Sequence, residues 1–282
     1  MKFGFSMEGI CAVTFAAVCS SIAAAQPPAT SYLAEAARYP GAASKPTPLG
    51  PDGHPDLSGV WHHYLGGLVQ QVNGNFVLGG VGAPPAQKGA APRPAPDEKP
   101  AFQPQFAAKV QALSANQVKE DPTLHCKPPG IPRIGPPQQI VHTPKQAVFL
   151  YADITGNQWR VVPLDGRSHS NDPETEGAYN GDAIGHWEGE TLVVDVTRLS
   201  DETWLGDNGL FHSDKLHVVE RFKRVGDTIQ YQMTATDPEV LQKPWTYSRT
   251  LTLQSDRLEE APPCVDRDAG HYVNLEHHDN PR

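Results

Sequence analysis

From Gln138 onward the chain consists of short runs of β-branched and aromatic residues separated by tight turns. Within these runs apolar and polar positions alternate, which is the period of a half-buried β-strand. An earlier strand is predicted around Val60 to Tyr64. The later predicted strands are Gln139–His142, Ala147–Asp153, Gln158–Leu164, Asp182–Trp187, Thr191–Val196, Lys215–Arg224, Thr228–Asp237, Tyr247–Gln254 and Arg257–Glu260.

Two-residue turns separate several of these strands, at Gly156-Asn157, Glu188-Gly189, Gly226-Asp227 and Ser255-Asp256. Such short connections are typical of β-hairpins, and successive hairpins form a meander. A meander of this many strands avoids open edges best by closing on itself. We therefore predict an all-β fold, an antiparallel up-and-down barrel. A β-sandwich is the alternative, but it usually needs longer cross-over connections.

The segments before the meander have a different pattern. Pro104 to Lys119 has apolar residues at helical spacing and predicts a short amphipathic helix. Residues 26–55 and the insert 79–103 are rich in Pro, Ala and Gly, which predicts connectors without a buried face. The predicted organisation is a signal peptide at 1–25, a Pro/Ala-rich segment at 26–55, and one barrel domain at 56–282.

The first residues have the pattern of a secretory signal peptide. Lys2 precedes an apolar run from Ile10 to Val18, and small residues lead up to Ala25. We expect cleavage near Ala25 and a periplasmic or secreted protein. The apolar run is much shorter than the roughly 20 residues of a membrane-spanning helix, so no membrane insertion is expected.

Cleavage would leave Cys126 and Cys264 as the cysteines of the mature chain. In an oxidising compartment an isolated pair favours a disulfide over a zinc site, which usually needs four ligands. Two buried free thiols are the alternative.

The formal net charge of −9 limits the kinds of molecule that the chain can bind. Such a chain repels nucleic acid and anionic lipid surfaces. The Gly-rich segments lack the strand–loop–helix context of a phosphate site, so no nucleotide cofactor is expected. A small molecule is the expected ligand or substrate.

Four blocks of sequence carry a resemblance: PDLSGVW, DPTLHCKPPGIPR, IGHWEGETLVVDV and HSDKLHVVERF. Together they resemble a widespread family of uncharacterised secreted bacterial proteins, and Gly59-Val60-Trp61 is similar to the G-x-W of the first lipocalin strand. The resemblance implies a lipocalin-like barrel but no activity. It also implies an arginine that packs over Trp61 at the closed end, for which Arg221 is the candidate.

Two connections between the predicted strands are long, Asp165–Gly181 and Leu199–Asp214, and the histidines near them are the candidates for chemistry. His169, His212 or His217 beside a carboxylate such as Asp182 could act as an acid or base near neutral pH. Asp207 and Asp214 are further carboxylate candidates. The candidates for ligand binding are Tyr179 and Trp204, which could stack on a flat molecule, Arg221, which could hold a carboxylate, and His186.

The sequence gives less support to two other kinds of site. His169, His212 and His217 could form a three-histidine metal site, but their spacing lacks the helical pattern of H-E-x-x-H, so no metal cofactor is expected. Ser168 and Ser213 lie outside a G-x-S-x-G elbow, which disfavours a nucleophilic triad.

The block FHSDKLHVVERF predicts two strand faces. Glu220 shares one face with its apolar neighbours Leu216, Val218 and Phe222, while the other face holds His217, Val219 and Arg221. The pattern leaves open which face is interior.

Two hypotheses follow. The first is a periplasmic barrel that binds a small, partly apolar and possibly aromatic molecule. The second is a cofactor-independent lyase, isomerase or hydrolase that uses the loop histidines.

Overall fold

The computed structural model describes residues 41–63, 70–72, 75–77, 99–153, 155–172, 177–255, 257–261 and 264. The predicted signal peptide, its cleavage position near Ala25 and most of the predicted insert 79–103 lie outside these residues. Within them, no helix has the length and apolar character to cross a membrane.

The described strands match the predicted ones closely from Gln139 to Gln254. They are β1 (Gly59–His63), β2 (Gln70–Val72), β3 (Asn75–Val77), β4 (Gln139–Thr143), β5 (Gln146–Asp153), β6 (Gly156–Pro163), β7 (Asp182–Glu188), β8 (Thr191–Thr197), β9 (Trp204–Gly206), β10 (Leu210–Phe211), β11 (His217–Val225), β12 (Thr228–Thr236) and β13 (Trp245–Gln254).

Nine of these strands form one antiparallel sheet in the order β6-β5-β4-β1-β13-β12-β11-β8-β7. Apart from β1, the neighbours follow the order of the chain. β1 pairs with β4 on one side and with β13 on the other, so the first and last strands of the meander join. The sheet therefore curls into a nearly closed barrel, which confirms the predicted all-β class and fits a lipocalin-like barrel.

The two ends of this sheet, β6 and β7, lie side by side without a ladder of hydrogen bonds. Because nine strands alternate in direction, β6 and β7 run parallel, and a parallel pair cannot be joined by a hairpin. The long connection from 164 to 181 therefore returns the chain from one end of the barrel to the other. Gly185 of β7 fits closely here, since a Cβ on it would lie 2.9 Å from Cγ1 of Val162 in β6. We call this region the β6–β7 seam.

The predicted helix from Pro104 to Lys119 is divided into shorter pieces. A 3₁₀ turn (Pro104–Phe106) leads into α1 (Ala107–Ala115), and α2 (Gln117–Glu120) follows. A second 3₁₀ turn is Pro122–His125. Phe106 packs edge-on against Phe211 of the β9–β10 hairpin, with ring centroids 5.5 Å apart. The helix thus lies over a loop at one end of the barrel.

Buried and exposed side chains alternate along the strands, so each strand has one face toward the barrel interior and one toward the outside. On β11, Val218, Glu220 and Phe222 are buried, whereas Arg221 and Lys223 point outward. The face shared by Glu220 and its apolar neighbours is therefore the interior one. A carboxylate is fully buried among aromatic and aliphatic side chains, which requires partners for its charge.

Trp61 is buried at one end of the barrel, as the resemblance implied, but the arginine over its ring is Arg224. The Arg224 guanidinium carbon lies 5.1 Å from the ring centroid, and its N–H groups donate to the carbonyls of Asp56 and Gly226. The expectation for Arg221 was wrong, because Arg221 has the opposite parity on β11 and points outward.

The opposite end of the barrel is covered by the segment before β4. Ile131 is fully buried in the core, and the carbonyl of Pro132 accepts a hydrogen bond from the Tyr247 hydroxyl (3.3 Å). The long loops between β6 and β7 and between β8 and β11 reach this same end, which we call the loop end.

Cys126 and Cys264 form the predicted disulfide, with an S–S distance of 2.15 Å and a Cα–Cα distance of 5.7 Å. It ties the residue after Pro122–His125 to the segment that follows β13. The predicted strand Arg257–Glu260 is not a strand in the structure. After Gln254 the chain leaves the sheet, because both sides of β13 are already paired with β1 and β12.

Candidate functional site

A cluster of polar side chains lies inside the barrel, among its aromatic residues. Arg160 of β6 donates from Nη2 to Oε2 of Glu220 on β11 (2.5 Å) and to the hydroxyl of Tyr151 on β5 (3.1 Å). Tyr231 of β12 donates to the other oxygen of Glu220 (3.0 Å). We call these four residues the interior polar cluster. Each is at most 4% exposed.

Burial and charge together set the proton affinities in this cluster. Desolvation alone would lower the pKa of Arg160, but Glu220 and Tyr151 outweigh it and raise the pKa. Burial raises the pKa of Tyr151, and it raises the pKa of Tyr231 with a further contribution from the Glu220 charge. Arg160 therefore stays a cation and both tyrosines stay protonated at neutral pH.

Arg160 has more donors than the surrounding residues use. A guanidinium carries five N–H hydrogens, and the two on Nη2 are taken by Glu220 and Tyr151. Nη1 and Nε have no hydrogen-bond partner among the described residues, which leaves three buried N–H hydrogens without an acceptor. Each unmet buried donor costs about 1–3 kcal/mol. An oxygen-bearing molecule beside Arg160 would remove this cost.

Aromatic rings surround the cluster. The Arg160 guanidinium carbon lies 5.1 Å from the centroid of the Phe149 ring. Phe149 packs on Phe222 at 5.1 Å, Phe222 on Tyr231 at 5.0 Å, and Tyr231 on Tyr247 at 6.0 Å. A few polar groups within such an apolar lining are typical of a site for a small molecule.

A second cluster lies on the outer face of the barrel near the loop end and contains three of the predicted catalytic residues. His169 points one ring nitrogen at Asp182 (Nδ1–Oδ2, 3.0 Å) and the other at Asp195 (Nε2–Oδ1, 2.9 Å). His217 binds the same Asp195 oxygen through Nε2 (2.9 Å). We call these four residues the outer His–Asp cluster. Its side chains are 18–44% exposed.

Asp195 holds the outer cluster together and was not among the predicted site residues. It points outward from β8 and lies opposite Val219 of the neighbouring strand β11, so it reaches His217, which is two residues before Val219 on the same face. In the sequence TLVVDV it is a polar residue at an outward position of the alternation. That signal marks it as exposed, but only the β8–β11 pairing brings it to His217.

Charge and hydrogen bonding set the protonation of this cluster. The hydrogen bond to Asp195 raises the pKa of His217. Burial alone would raise the pKa of Asp195, but the hydrogen bonds from His217 and His169 outweigh it and lower the pKa. His169 can donate to both carboxylates only as an imidazolium, since a neutral ring has one N–H. The arrangement can therefore hold a proton between two carboxylates at the surface.

His212 does not join the outer cluster and makes other contacts. It is 3% exposed, its Nδ1 donates to the Ser213 carbonyl (2.8 Å), and its Nε2 lies 2.6 Å from the Thr203 hydroxyl. Burial lowers the pKa of His212. Within the described part of the chain, no three or more His, Cys, Asp or Glu side chains are placed to share a metal ion.

The predicted ligand-binding residues lie at separate places. The Tyr179 hydroxyl donates a hydrogen bond to the loop residue Glu202 (2.9 Å). Trp204 is buried, and the guanidinium carbon of Arg133 lies 5.7 Å from the centroid of its ring.

Arg221 and His186 are both on the outer face, where both contact Glu188. Arg221 Nη1 donates to Oε2 (2.6 Å), and His186 Nε2 lies 3.4 Å from Oε1. The described structure does not bring these residues into the interior polar cluster.

Arg160, Tyr151 and Tyr231 were not among the residues predicted as candidates. A signal was present in HVVERF, where Glu220 occupies an otherwise apolar strand face, and in QWRVV, where Arg160 is the charged residue on the face that it shares with Val162. Two such charges of opposite sign on different strands are an indication of a buried pair.

No protein-family model, curated protein or solved structure gives a significant match to this chain. The resemblance to secreted bacterial proteins through the four sequence blocks therefore stays a prediction, and the geometry of the two clusters carries the functional argument.

Proposed function

We propose that this protein binds a small, partly apolar molecule inside its barrel, with an oxygen of that molecule accepting hydrogen bonds from Arg160. The observation that carries the proposal is the set of three buried Arg160 N–H hydrogens without an acceptor among the described residues. A buried donor left unmet is rare in folded proteins, and each one calls for an explanation such as an ordered water, an ion or a bound molecule.

The surroundings of Arg160 favour a flat ligand. Phe149 lies against the guanidinium and packs on Phe222, and Tyr247 packs on Tyr231 of the same cluster. Aromatic molecules gain from offset or edge-on packing against such rings. The ligand oxygen can belong to a carbonyl, an ether, a phenol or a carboxylate, since each accepts N–H hydrogen bonds.

Native mass spectrometry of the mature protein, isolated from its own cells, tests this proposal. We expect a small organic adduct on the wild type and on Arg221→Met, which removes an outward-facing arginine. We expect the adduct to be lost in Arg160→Met/Glu220→Gln, which removes both buried charges together. An adduct retained by the double variant, or absent from every form, would contradict the proposal.

A second candidate function is acid/base catalysis by the outer His–Asp cluster, as a cofactor-independent lyase, isomerase or hydrolase. The observation that favours it is His169 held between two carboxylates, beside a second histidine on the same carboxylate. Proton transfer by a positioned histidine accelerates such reactions about 10²–10⁴-fold. Turnover of the released ligand should then fall by that factor in His169→Ala and His217→Ala, whereas the binding function would leave both variants loaded.

We further propose that the protein works in the periplasm or outside the cell. The signal-type N-terminus and the Cys126–Cys264 disulfide support this location, because disulfides persist mainly in oxidising compartments.

A further inference from the structure

The outward face of β4, β5 and β6 carries no charged side chain. Its side chains are Gln, Thr, Asn, Ala and Pro around a centre of Val141, Val148, Leu150, Trp159 and Val161. We call this face the uncharged wall. It contains three of the large apolar side chains that are most exposed in the described chain: Trp159 at 66%, Val141 at 42% and Val161 at 37%.

The strand register makes these apolar side chains contiguous. Val141 lies opposite Val148, and Val148 lies opposite Val161, so three valines form one row across the strands. Leu150 lies opposite Trp159 in the next row. Side chains directly opposite on one face are about 5 Å apart, so the two rows form one continuous apolar patch.

The barrel does not require such a wall, because the outward face of β7, β8 and β11 is different. That face carries Asp182, Glu188, Asp195 and Lys223 among its outward positions. The same protein thus has one strongly polar wall and one wall without charge. An aromatic and aliphatic centre with an uncharged polar rim is the composition of a protein–protein interface, and tryptophan is enriched at the energetic centre of interfaces.

We propose that the uncharged wall is the contact surface between two copies of this protein. The chain has a net charge of −9, so two copies repel each other, and a contact that opposed like charges would add to this repulsion. In a two-fold dimer the same patch is used by both subunits, so it must match itself. The uncharged wall meets this condition, since apolar centre faces apolar centre and no like charges are opposed. A charged partner would find no complementary groups on it.

Sedimentation velocity of the full mature protein tests the dimer. We expect Trp159→Glu to weaken dimerisation by about thirtyfold, the effect of losing a central tryptophan. Val141→Lys, on a different strand, should have the same direction of effect. Lys223→Glu, an equally exposed change on the polar wall, should leave the dimer intact. Thermal melts that match the wild type would show that the variants are folded.

Salt gives an independent readout. Because the contact itself is uncharged while the two subunits repel, raising NaCl from about 0.05 M to about 0.5 M should strengthen the dimer through screening. A wild type that is monomeric at every concentration would overturn the proposal. So would a dimer that survives both wall variants, or one that salt weakens.

Discussion

Arg160 and Glu220 face each other across the inside of the barrel, from β6 and β11. Removing two charges from water costs several kcal/mol for each ion, and their attraction offsets this only when further hydrogen bonds complete both groups. Glu220 accepts a further hydrogen bond from Tyr231, but the Nη1 and Nε groups of Arg160 have no acceptor among the described residues. The unmatched hydrogen-bonding groups of this pair thus belong to Arg160, and we expect a ligand oxygen beside them.

A stability measurement tests this buried pair. Arg160→Met would leave Glu220 buried without its counter-ion, and we expect it to lower the free energy of unfolding by about 3–5 kcal/mol. Arg160→Met/Glu220→Gln removes both charges and should lose less than the single variant. Urea denaturation gives both values, and equal losses for the two proteins would contradict the pairing.

The outer His–Asp cluster predicts a pH dependence. The pKa of His217 is raised above its ordinary 6.5, so its contribution is fully present below 6.5 and is lost as pH rises through the folded value. The pKa of Asp195 is lowered from 3.8, so its contribution is present above 3.8 and is lost as pH falls. The pair therefore stabilises the fold fully between pH 3.8 and pH 6.5. Its contribution decreases as the pH rises further, through the raised pKa of His217.

His217→Gln removes the ionic part of this pair. Because His217 and Asp195 are partly exposed, solvent screening keeps the effect small, and we expect the variant to lose about 0.5 kcal/mol more at about pH 5.5 than at about pH 8.5. Urea denaturation at the two pH values measures the difference. The same loss at both would show that the contact is not ionic.

Residues were harder to predict than strands. The alternation placed Glu220 and His217 on opposite faces correctly, but it could not decide which face was interior. That depends on how the strands pair and curve into the barrel, and the β8–β11 pairing also brings Asp195 to His217. Distances between side chains on different strands depend on register, and register is a property of the sheet.

Among the elements, the strands from β4 to β13 were predictable because each buries one face and ends in turn residues. The β5–β6 turn was predicted at Gly156-Asn157, but Asp153 already pairs with Gly156, so the turn comes before Gly156. The Asp153 carboxylate accepts hydrogen bonds from the N–H and hydroxyl of Thr155, which fixes the turn there. The β9–β10 hairpin was not predicted, because its strands are too short to show alternation.

The disulfide links two elements that are far apart in sequence. Cys126 and Cys264 are separated by 138 residues, and closing so long a loop stabilises a fold by about 4–5 kcal/mol in the chain-entropy account. We expect Cys126→Ser/Cys264→Ser to melt about 10 °C lower than the oxidised wild type in calorimetry. A wild type whose melting temperature is unchanged by reductant would show that this link adds no stability.

At the scale of the whole molecule, the barrel has walls of different character. The wall of β7, β8 and β11 carries the outer His–Asp cluster, the wall of β4, β5 and β6 carries no charge, and the interior holds a buried ion pair among aromatic rings. The parallel β6–β7 seam separates the two walls, and Arg160 lies on a strand that borders it.

The most direct test of the ligand-binding account is a crystal structure of the mature protein purified from its own cells with no ligand added. We predict a bound small molecule inside the barrel, with an oxygen within hydrogen-bonding distance, about 3 Å, of Nη1 or Nε of Arg160. An interior filled by side chains, with every N–H of Arg160 bonded to protein groups, would contradict the account.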